Sequence, residues 1–297
     1  MESPFSAKRG AWLFLVPAAA IYIFIVLWPS IRGAELSFTD WNGLSANMNF
    51  VGVENFVTLF NDPQARSALG HTLVIAFTIT IVQNAVGLAL ALGVNTKIKS
   101  RNVLRVLFFA PAVITPVASG YLWQNLLSPT GAVNEFLGNI GLSGLQRIWL
   151  GDPNLALGCI SMVIVWEFAG YSMVIFLANL QGIPAEVIEA SLVDGAGPFR
   201  RFWSIIRPAL APAITINLML SIIGGLKIFD QVWVMTNGGP GGSTETMSTF
   251  LYKNAFQFGD FSYGITIAVI LTILVGIISA GQFALLGRQN REKAVGK

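Results

Sequence analysis

Glu167 stands near the middle of an otherwise apolar run from Leu155 to about Leu180. An ionised carboxylate at the centre of a membrane-crossing helix costs about 2.5 to 3.5 kcal/mol, so it must face a cavity, find a partner or be protonated. Two roles follow. Glu167 could accept hydrogen bonds from the hydroxyls of a ligand, with Tyr171 one helical turn later on the same face adding a donor or a stacking surface. Alternatively it could pair with Lys227 and simply hold helices together.

Other chemistries find little support. Asn237-Gly-Gly-Pro-Gly-Gly242 is rich in glycine but lacks the Lys-Ser/Thr ending and preceding strand of a phosphate loop, and reads as a tight turn. His71 has no sequence partner for acid–base work, and the lone Cys159 excludes a disulfide framework or a cysteine zinc cluster. An intramembrane enzyme would need a paired nucleophile and base, and none is visible.

The elements that position these groups are set by composition. Of 297 residues, 54% are apolar and 11% charged, against about 25% charged in an ordinary soluble domain. Membrane lipid is the expected solvent. Net charge is only +3, and no basic nucleic-acid-binding segment stands out, so nucleic acid is not expected as a partner.

A hydrocarbon core of ~30 Å needs about 20 apolar residues of helix. Charge-free windows of sufficient length run from Gly10 to Ile31, Ser67 to Thr96, Val106 to Asn134, Pro208 to Leu226 and Phe261 to Gly287. The run holding Glu167 makes a sixth. The expected architecture is an all-α integral membrane protein with six transmembrane helices. An N-terminal part, 1–70, carries a helix at about 11–31 and an outer loop. A core, 71–287, carries helices at about 71–95, 105–127, 155–180, 208–230 and 262–286, with a tail at 288–297. The first run resembles a signal peptide in having Lys8 and Arg9 ahead of Ala18-Ala19-Ala20, but it continues apolar to Trp28 and reads as a retained helix bounded by Trp12 and Trp28.

Lys and Arg test the layout, because cytoplasmic loops are enriched in them. One side holds 13: Lys8, Arg9, Lys97, Lys99, Arg101, Arg105, Arg200, Arg201, Arg207, Arg288, Arg291, Lys293 and Lys297. The other holds five: Arg32, Arg66, Arg147, Lys227 and Lys253. Both termini and the tail are therefore expected in the cytoplasm. The outer segments 32–70, 128–153 and roughly 231–262 are longer than simple helix connections, with room either to cap the bundle or to touch a partner.

The segment Gln181 to Pro208 is punctuated as two short helices. Pro184 suits a first helical position, Gly195 a left-handed stop, and Pro198 a second start. Val187, Ile188, Leu192, Phe199, Phe202, Trp203 and Ile206 form an apolar set beside Glu186, Glu189, Asp194, Arg200 and Arg201. Such a knob could enter a groove on another protein or lie among lipid headgroups.

Glu189-Ala190-Ser191, Asp194-Gly195-Ala196 and Ile206-Arg207-Pro208 resemble the EAA loop of bacterial ABC importer permeases. Two departures stand out: Ser191 replaces the second Ala, and Arg207 takes a usually apolar place. Phe38 to Gly43, Phe50 to Phe56 and Phe229 to Pro240, followed by Thr246, Tyr252 and Ala255-Phe256, resemble the carbohydrate-uptake class of this binding-protein-dependent family, in particular the larger maltose-type permease of the pair.

The resemblance implies a type I ABC importer permease fold in the bacterial cytoplasmic (inner) membrane. It implies a heterodimer with a second homologous permease, two ATPase subunits and an extracytoplasmic solute-binding protein. The chain would bind no cofactor, with ATP and Mg held by the ATPase, and would not itself be an enzyme. Loop 181–207 would couple to the ATPase through Glu186, Glu189, Ala190, Ser191, Asp194, Gly195, Ala196 and Arg200.

A sugar or oligosaccharide would pass between spans four and five, where Trp166, Glu167, Phe168, Tyr171, Ser221, Gly224, Gly225, Lys227 and Asp230 offer hydrogen bonds and aromatic faces. Ser172 and Asn217 are polar neighbours, and Gly224-Gly225 permits close helix packing or a local break. Glycerol phosphate or another polyol is an alternative cargo. A proton-coupled secondary transporter, with Glu167 carrying the proton, would be expected to show internal repeats, and none is convincing.

Overall fold

A computed structural model describes residues 15–96 and 98–295. Lys8, Arg9, Trp12, Lys97 and Lys297, to which the sequence assigns roles in orientation or at an interface, lie outside the described residues. The described fold is helical, and the isolated antiparallel bridge Thr39–Phe50 is the strand-like pairing found in it. Four helices are long and apolar enough to cross a membrane: α1 (Leu15–Leu36), α3 (Pro63–Val94), α7 (Ala156–Gln181) and α13, which runs Phe261–Val295 and is apolar through Leu285. Two bent pairs bring the number to six if each counts as one span.

The first bent pair joins Arg101–Val113 (α4) to Pro116–Leu126 (α5) at 97°. The window Val106 to Asn134 is thus not one straight helix. Pro116 disfavours helical backbone in the residue before it, so Ile114 and Thr115 are extended, and the Thr115 side chain caps the new helix by accepting from the Ala118 N–H. The second pair joins Pro198–Ala209 (α9) to Ala211–Leu226 (α10) at 70°. The fifth helix therefore ends at Leu226 rather than near 230, and Asp230 opens a separate short helix, Asp230–Thr236 (α11).

Two compact units are present. One comprises described residues 15–62 with 251–270. There the sequence motif around Asp40 builds a clasp. Asp40 accepts from the Asn49 backbone N–H and side chain, and Asn55 donates to the carbonyls of Ser37 and Thr39. Phe38 packs on Phe56, and Trp41 meets Phe261 edge to face. The Thr39 hydroxyl bonds that of Ser262, Thr266 donates to the Ser37 carbonyl, and the Tyr263 hydroxyl donates to Asp62. Helix α2 (Glu54–Asn61) completes the clasp. By contrast, α1 has no buried residue in its most apolar window, and Trp28 is exposed.

The other unit comprises 63–250 with 271–295. Its core is α7, whose apolar side chains are buried on nearly all sides, as a helix apolar all round requires. Helix α3 packs along α7 and α10. Small residues set these distances. A Cβ at Gly225 would come 2.7 Å from the Ala76 Cα, and one at Gly170 would collide with the Phe108 carbonyl. Close backbone approach of this kind is how helices gain dispersion contacts where lipid removes the hydrophobic drive. Helix α6 (Ala132–Asn139) and the turn after it are held by Asn134, which bonds the Arg147 carbonyl and the Trp149 indole.

Candidate functional site

A cavity of about 330 Å³ opens between α3, α7, α10 and the 227–231 segment. Its wall on α7 is the stripe Ile164, Phe168, Tyr171, spaced i, i+4, i+7 and hence on one helix face. Helix α10 contributes Asn217, Leu220, Ser221, Gly224 and Gly225. Lys227, Ile228, Phe229, Asp230 and Gln231 close it where α10 gives way to α11, and Gln83 and Ile79 come from α3. The lining thus joins three aromatic rings to amides, hydroxyls and one charge of each sign, the lining expected around a hydroxyl-rich ligand.

Of the residues expected along the path, Phe168, Tyr171, Ser221, Gly224, Gly225, Lys227 and Asp230 line this cavity together. Trp166 and Glu167 do not. Trp166 points away and packs edge to face on Trp123, with centroids 5.4 Å apart. Glu167 lies on the flank of the lining stripe, is 0% exposed, and reaches α5 and α11 instead. Its Oε2 accepts from the Ser119 hydroxyl and, at 3.0 Å, from the Gln231 side-chain amide.

The sequence offers Glu167 either contact with a ligand or a pair with Lys227; here it does not line this cavity, and the ion pair seen among the described residues is Arg32–Glu35. Neutral donors from two other helices bond Oε2, while Oε1 is buried without a hydrogen-bond partner and Lys227 lines the cavity at the end of α10. Periodicity placed Glu167 and Tyr171 near one another on α7 but could not say which neighbours would arrive on either side of them. The two glycines also part company: Gly225 packs on Ala76, while Gly224 meets no other group within 4 Å of a built Cβ.

A chain of polar contacts braces the cavity from behind. The Asn84 amide donates to Ser221 Oγ and the Gln83 amide to Ser172 Oγ, both at 2.9 Å. Ser221 Oγ donates to the Asn217 carbonyl, and the Asn217 amide reaches the Ser172 carbonyl. Buried amides of this kind tie α3, α7 and α10 into one register, since each would be costly to strand. Gln83, Asn84, Ser119 and Gln231 were not among the expected site residues. They arrive from α3, α5 and α11, outside spans four and five where the path was expected, and the adjacent amides Gln83-Asn84 were the signal available.

Away from the cavity, segment 181–207 forms the expected helix, turn and helix. Helix α8 (Ala185–Val193) ends with Asp194 and Gly195, whose φ of 72° is the left-handed region open to glycine. Ser191 is buried and its hydroxyl donates to the Ile188 carbonyl, while its own carbonyl accepts the Ala196 N–H. The turn bond is a backbone one that an Ala would make equally, so what Ser191 adds is the hydroxyl bond to Ile188 within α8. Arg207 lays its guanidinium 5.1 Å above the Trp203 ring, which accounts for a cation in a usually apolar place.

Glu186, Glu189, Ala190, Asp194, Gly195 and Arg200 are exposed, as are Val187, Leu192, Val193, Phe199 and Trp203. Ile183 and Ile206 instead root the segment on the core around Leu180 and Leu210. His71, which has no sequence partner for acid–base work, places Nδ1 3.0 Å from the Glu245 carbonyl. Asn237 in the glycine-rich turn is left-handed and caps α11.

Comparison with known proteins agrees with this architecture. The family described as binding-protein-dependent transport system inner membrane component matches residues 83–291. The chain is 33% identical over 279 residues to the multiple sugar-binding transport system permease protein MsmF of Streptococcus mutans, covering 94% of this chain and 95% of that protein. It is 34% identical over 287 residues to the probable starch degradation products transport system permease protein AmyD of Thermoanaerobacterium thermosulfurigenes, covering 96% and 97%.

The lactose transport system permease protein LacF of Rhizobium radiobacter is 35% identical over 280 residues, covering 92% and 93%. In fold, the chain superposes with a TM-score of 0.82 at 22% identity on a chain of a bacterial ABC transporter involved in the import of the acidic polysaccharide alginate, covering 97% of this chain and 99% of that one. The chain belongs to the binding-protein-dependent transport system inner membrane components, the permease family that its 181–208 motif resembles.

Proposed function

We propose that this chain forms half of the membrane path of an ATP-driven importer for a sugar or oligosaccharide. The cavity carries the reading: Phe168, Tyr171 and Phe229 offer ring faces, and Gln83, Asn217, Ser221 and Gln231 offer amide and hydroxyl groups. That combination matches a polyol, whose ring faces are apolar and whose edges are hydroxyls. The names of the relatives, which include sugar, starch-product and lactose permeases, support the same cargo class.

In this reading the path crosses the cytoplasmic membrane six times, each bent pair counting once, with both termini and the 181–207 segment on the cytoplasmic side. The 13-to-five division of Lys and Arg supports that orientation. The exposed surface of α8, its turn and the start of α9, including Glu186, Glu189, Asp194 and Arg200, docks on an ATPase subunit, which binds ATP and Mg and does the hydrolysis. A second, homologous permease supplies the other half of the path, and an extracytoplasmic binding protein delivers the solute.

The test is reconstitution of the whole importer in proteoliposomes with its binding protein, measuring ATP hydrolysis with lactose, maltose or trehalose. At least one sugar is expected to stimulate hydrolysis and enter the vesicles. Stimulation by glycerol 3-phosphate and by none of the sugars would reassign the cargo. Proton-gradient-driven uptake by this polypeptide alone would overturn the importer reading.

A further inference from the structure

Between Pro63 and Asn134 the sequence holds Arg66, Lys97, Lys99, Arg101 and Arg105 and no Asp or Glu. The last three cations gather where α3 gives way to α4, with Lys99 and Arg101 exposed and Arg105 half-buried. None of these three pairs with a carboxylate among the described residues. The Arg105 guanidinium carries five N–H donors, yet it makes a single long hydrogen bond, from Nη2 to the Val94 carbonyl at 3.4 Å. Nε is buried without a partner, whereas Nη1, equally unbonded, is not shut off from the surface.

An apolar groove of about 620 Å³ starts at this guanidinium. Val106, Phe109, Ala110 and Val113 of α4 line it, with Ile114 at the bend and Val174 from α7. Arg101, Arg105, Phe109 and Val113 recur every four residues, so cations and then apolar groups follow one stripe of the helix. Val106, Val113 and Val174 are exposed along the groove. From Arg105 to Val113 the helix rises about 12 Å, close to the ~15 Å of hydrocarbon in one leaflet.

We propose that this groove is a binding site for an anionic phospholipid of the cytoplasmic leaflet, with the phosphate held by Arg105 and Arg101 and one acyl chain lying along Phe109, Val113 and Val174. Charge complementarity selects the occupant. An unpaired cation at the mouth of an apolar groove suits a molecule that is anionic at one end and hydrocarbon at the other. A zwitterionic lipid matches the groove as well but brings a cation of its own to the guanidinium. The proposal rests on the cytoplasmic placement of Arg101 and Arg105 in the reading above and goes beyond it, since it assigns the chain a lipid site apart from the solute path.

The test uses the complete importer in phosphatidylcholine proteoliposomes that contain either a phosphatidylglycerol or a phosphatidylcholine probe with a diazirine at the end of one chain. Labelled peptides of this chain are mapped after irradiation. The phosphatidylglycerol probe is expected to label 106–114 and the segment around Val174 at least about fivefold more than the phosphatidylcholine probe does. Around the exposed Ile277 of α13 the two probes are expected to label alike, in every variant. Arg105→Gln brings the groove ratio toward one, and Arg105→Lys, which keeps the charge, retains most of it. A general loss of folding would instead change labelling by both probes and on both helices.

Equal labelling of the groove by the two probes in the wild-type importer, or an unchanged ratio in an active Arg105→Gln importer, would overturn the proposal. So would a groove left unlabelled while α13 is labelled, because protein rather than lipid would then cover it. Orientation is checked separately: Arg101→Cys, in a Cys159→Ala background, should react with a membrane-impermeant maleimide only in opened cells. Reaction in intact cells would overturn the cytoplasmic placement and the leaflet assigned with it, whereas the probe ratios report on the groove alone.

Discussion

Two sets of carboxylates divide this molecule. Glu167 is sealed among α5, α7 and α11, and its Oε2 is bonded by groups 48 and 64 residues away. Glu186 and Glu189 lie on the open surface of α8, in a segment whose shape comes from its own short-range bonds at Ser191, Asp194 and Gly195. The cavity wall is thus an assembly that no single helix could form. The 181–207 segment is a prefabricated shape that keeps its polar and apolar groups available to another surface.

Substitutions can break or sharpen that contrast. The largest expected effect is on the assembled side. Gly170→Val drives a side chain into the Phe108 backbone and should destabilise by about 3 kcal/mol, seen as a lower unfolding temperature of the protein purified in detergent. Glu167→Leu strands the Gln231 amide, while the Ser119 hydroxyl keeps the Pro116 carbonyl, and should cost about 2 kcal/mol in the same assay.

On the locally built side, Gly195→Val forces a β-branched residue to a φ of 72°. It should cost about 1 to 2 kcal/mol in stability, while solute-stimulated ATP hydrolysis in the full importer falls at least about tenfold. Glu189→Gln should leave stability within about 0.5 kcal/mol and still weaken coupling. Equal losses of stability from Gly170→Val and Glu189→Gln would erase the distinction between the two regions.

The smallest effect concerns pH. Two hydrogen bonds from Asn49 hold the Asp40 carboxyl below its ordinary value of 3.8. With the folded value depressed, the stabilisation of the clasp is fully present above that ordinary value and is lost as pH falls through the lower folded one. The protection of the Asn49 amide against hydrogen exchange, taken relative to its intrinsic rate at each pH, should fall on acidification across that window, and Asp40→Asn should flatten the dependence.

How much was legible follows the same division. The motif Glu189 to Ala196 could be read as helix, turn and helix because Pro184, Gly195 and Pro198 act within a few residues of themselves. The departures at Ser191 and Arg207 had no visible reason until the Ile188 carbonyl and the Trp203 ring were placed beside them. Charge-free windows marked apolar helices well but ran through the bend at Ile114 and Thr115, since a window counts charges and takes no account of proline geometry. Gln83, Asn84 and Gln231 escaped because the path was expected between spans four and five, whereas these amides arrive from α3 and α11, which only folding brings beside them.

The amino-acid sequence by itself determined that this chain is a helical membrane protein of the binding-protein-dependent permease family. Hydrophobicity, turn residues and motif spacing are local properties, and they survive without knowledge of neighbours. Only the tertiary structure decided that Tyr171 faces the cavity while Glu167 turns behind its wall, and that Gln231 stands between them. Which side of a helix is inside depends on what packs against it, and Ser119 and Gln231 reach Glu167 from helices that only folding brings together.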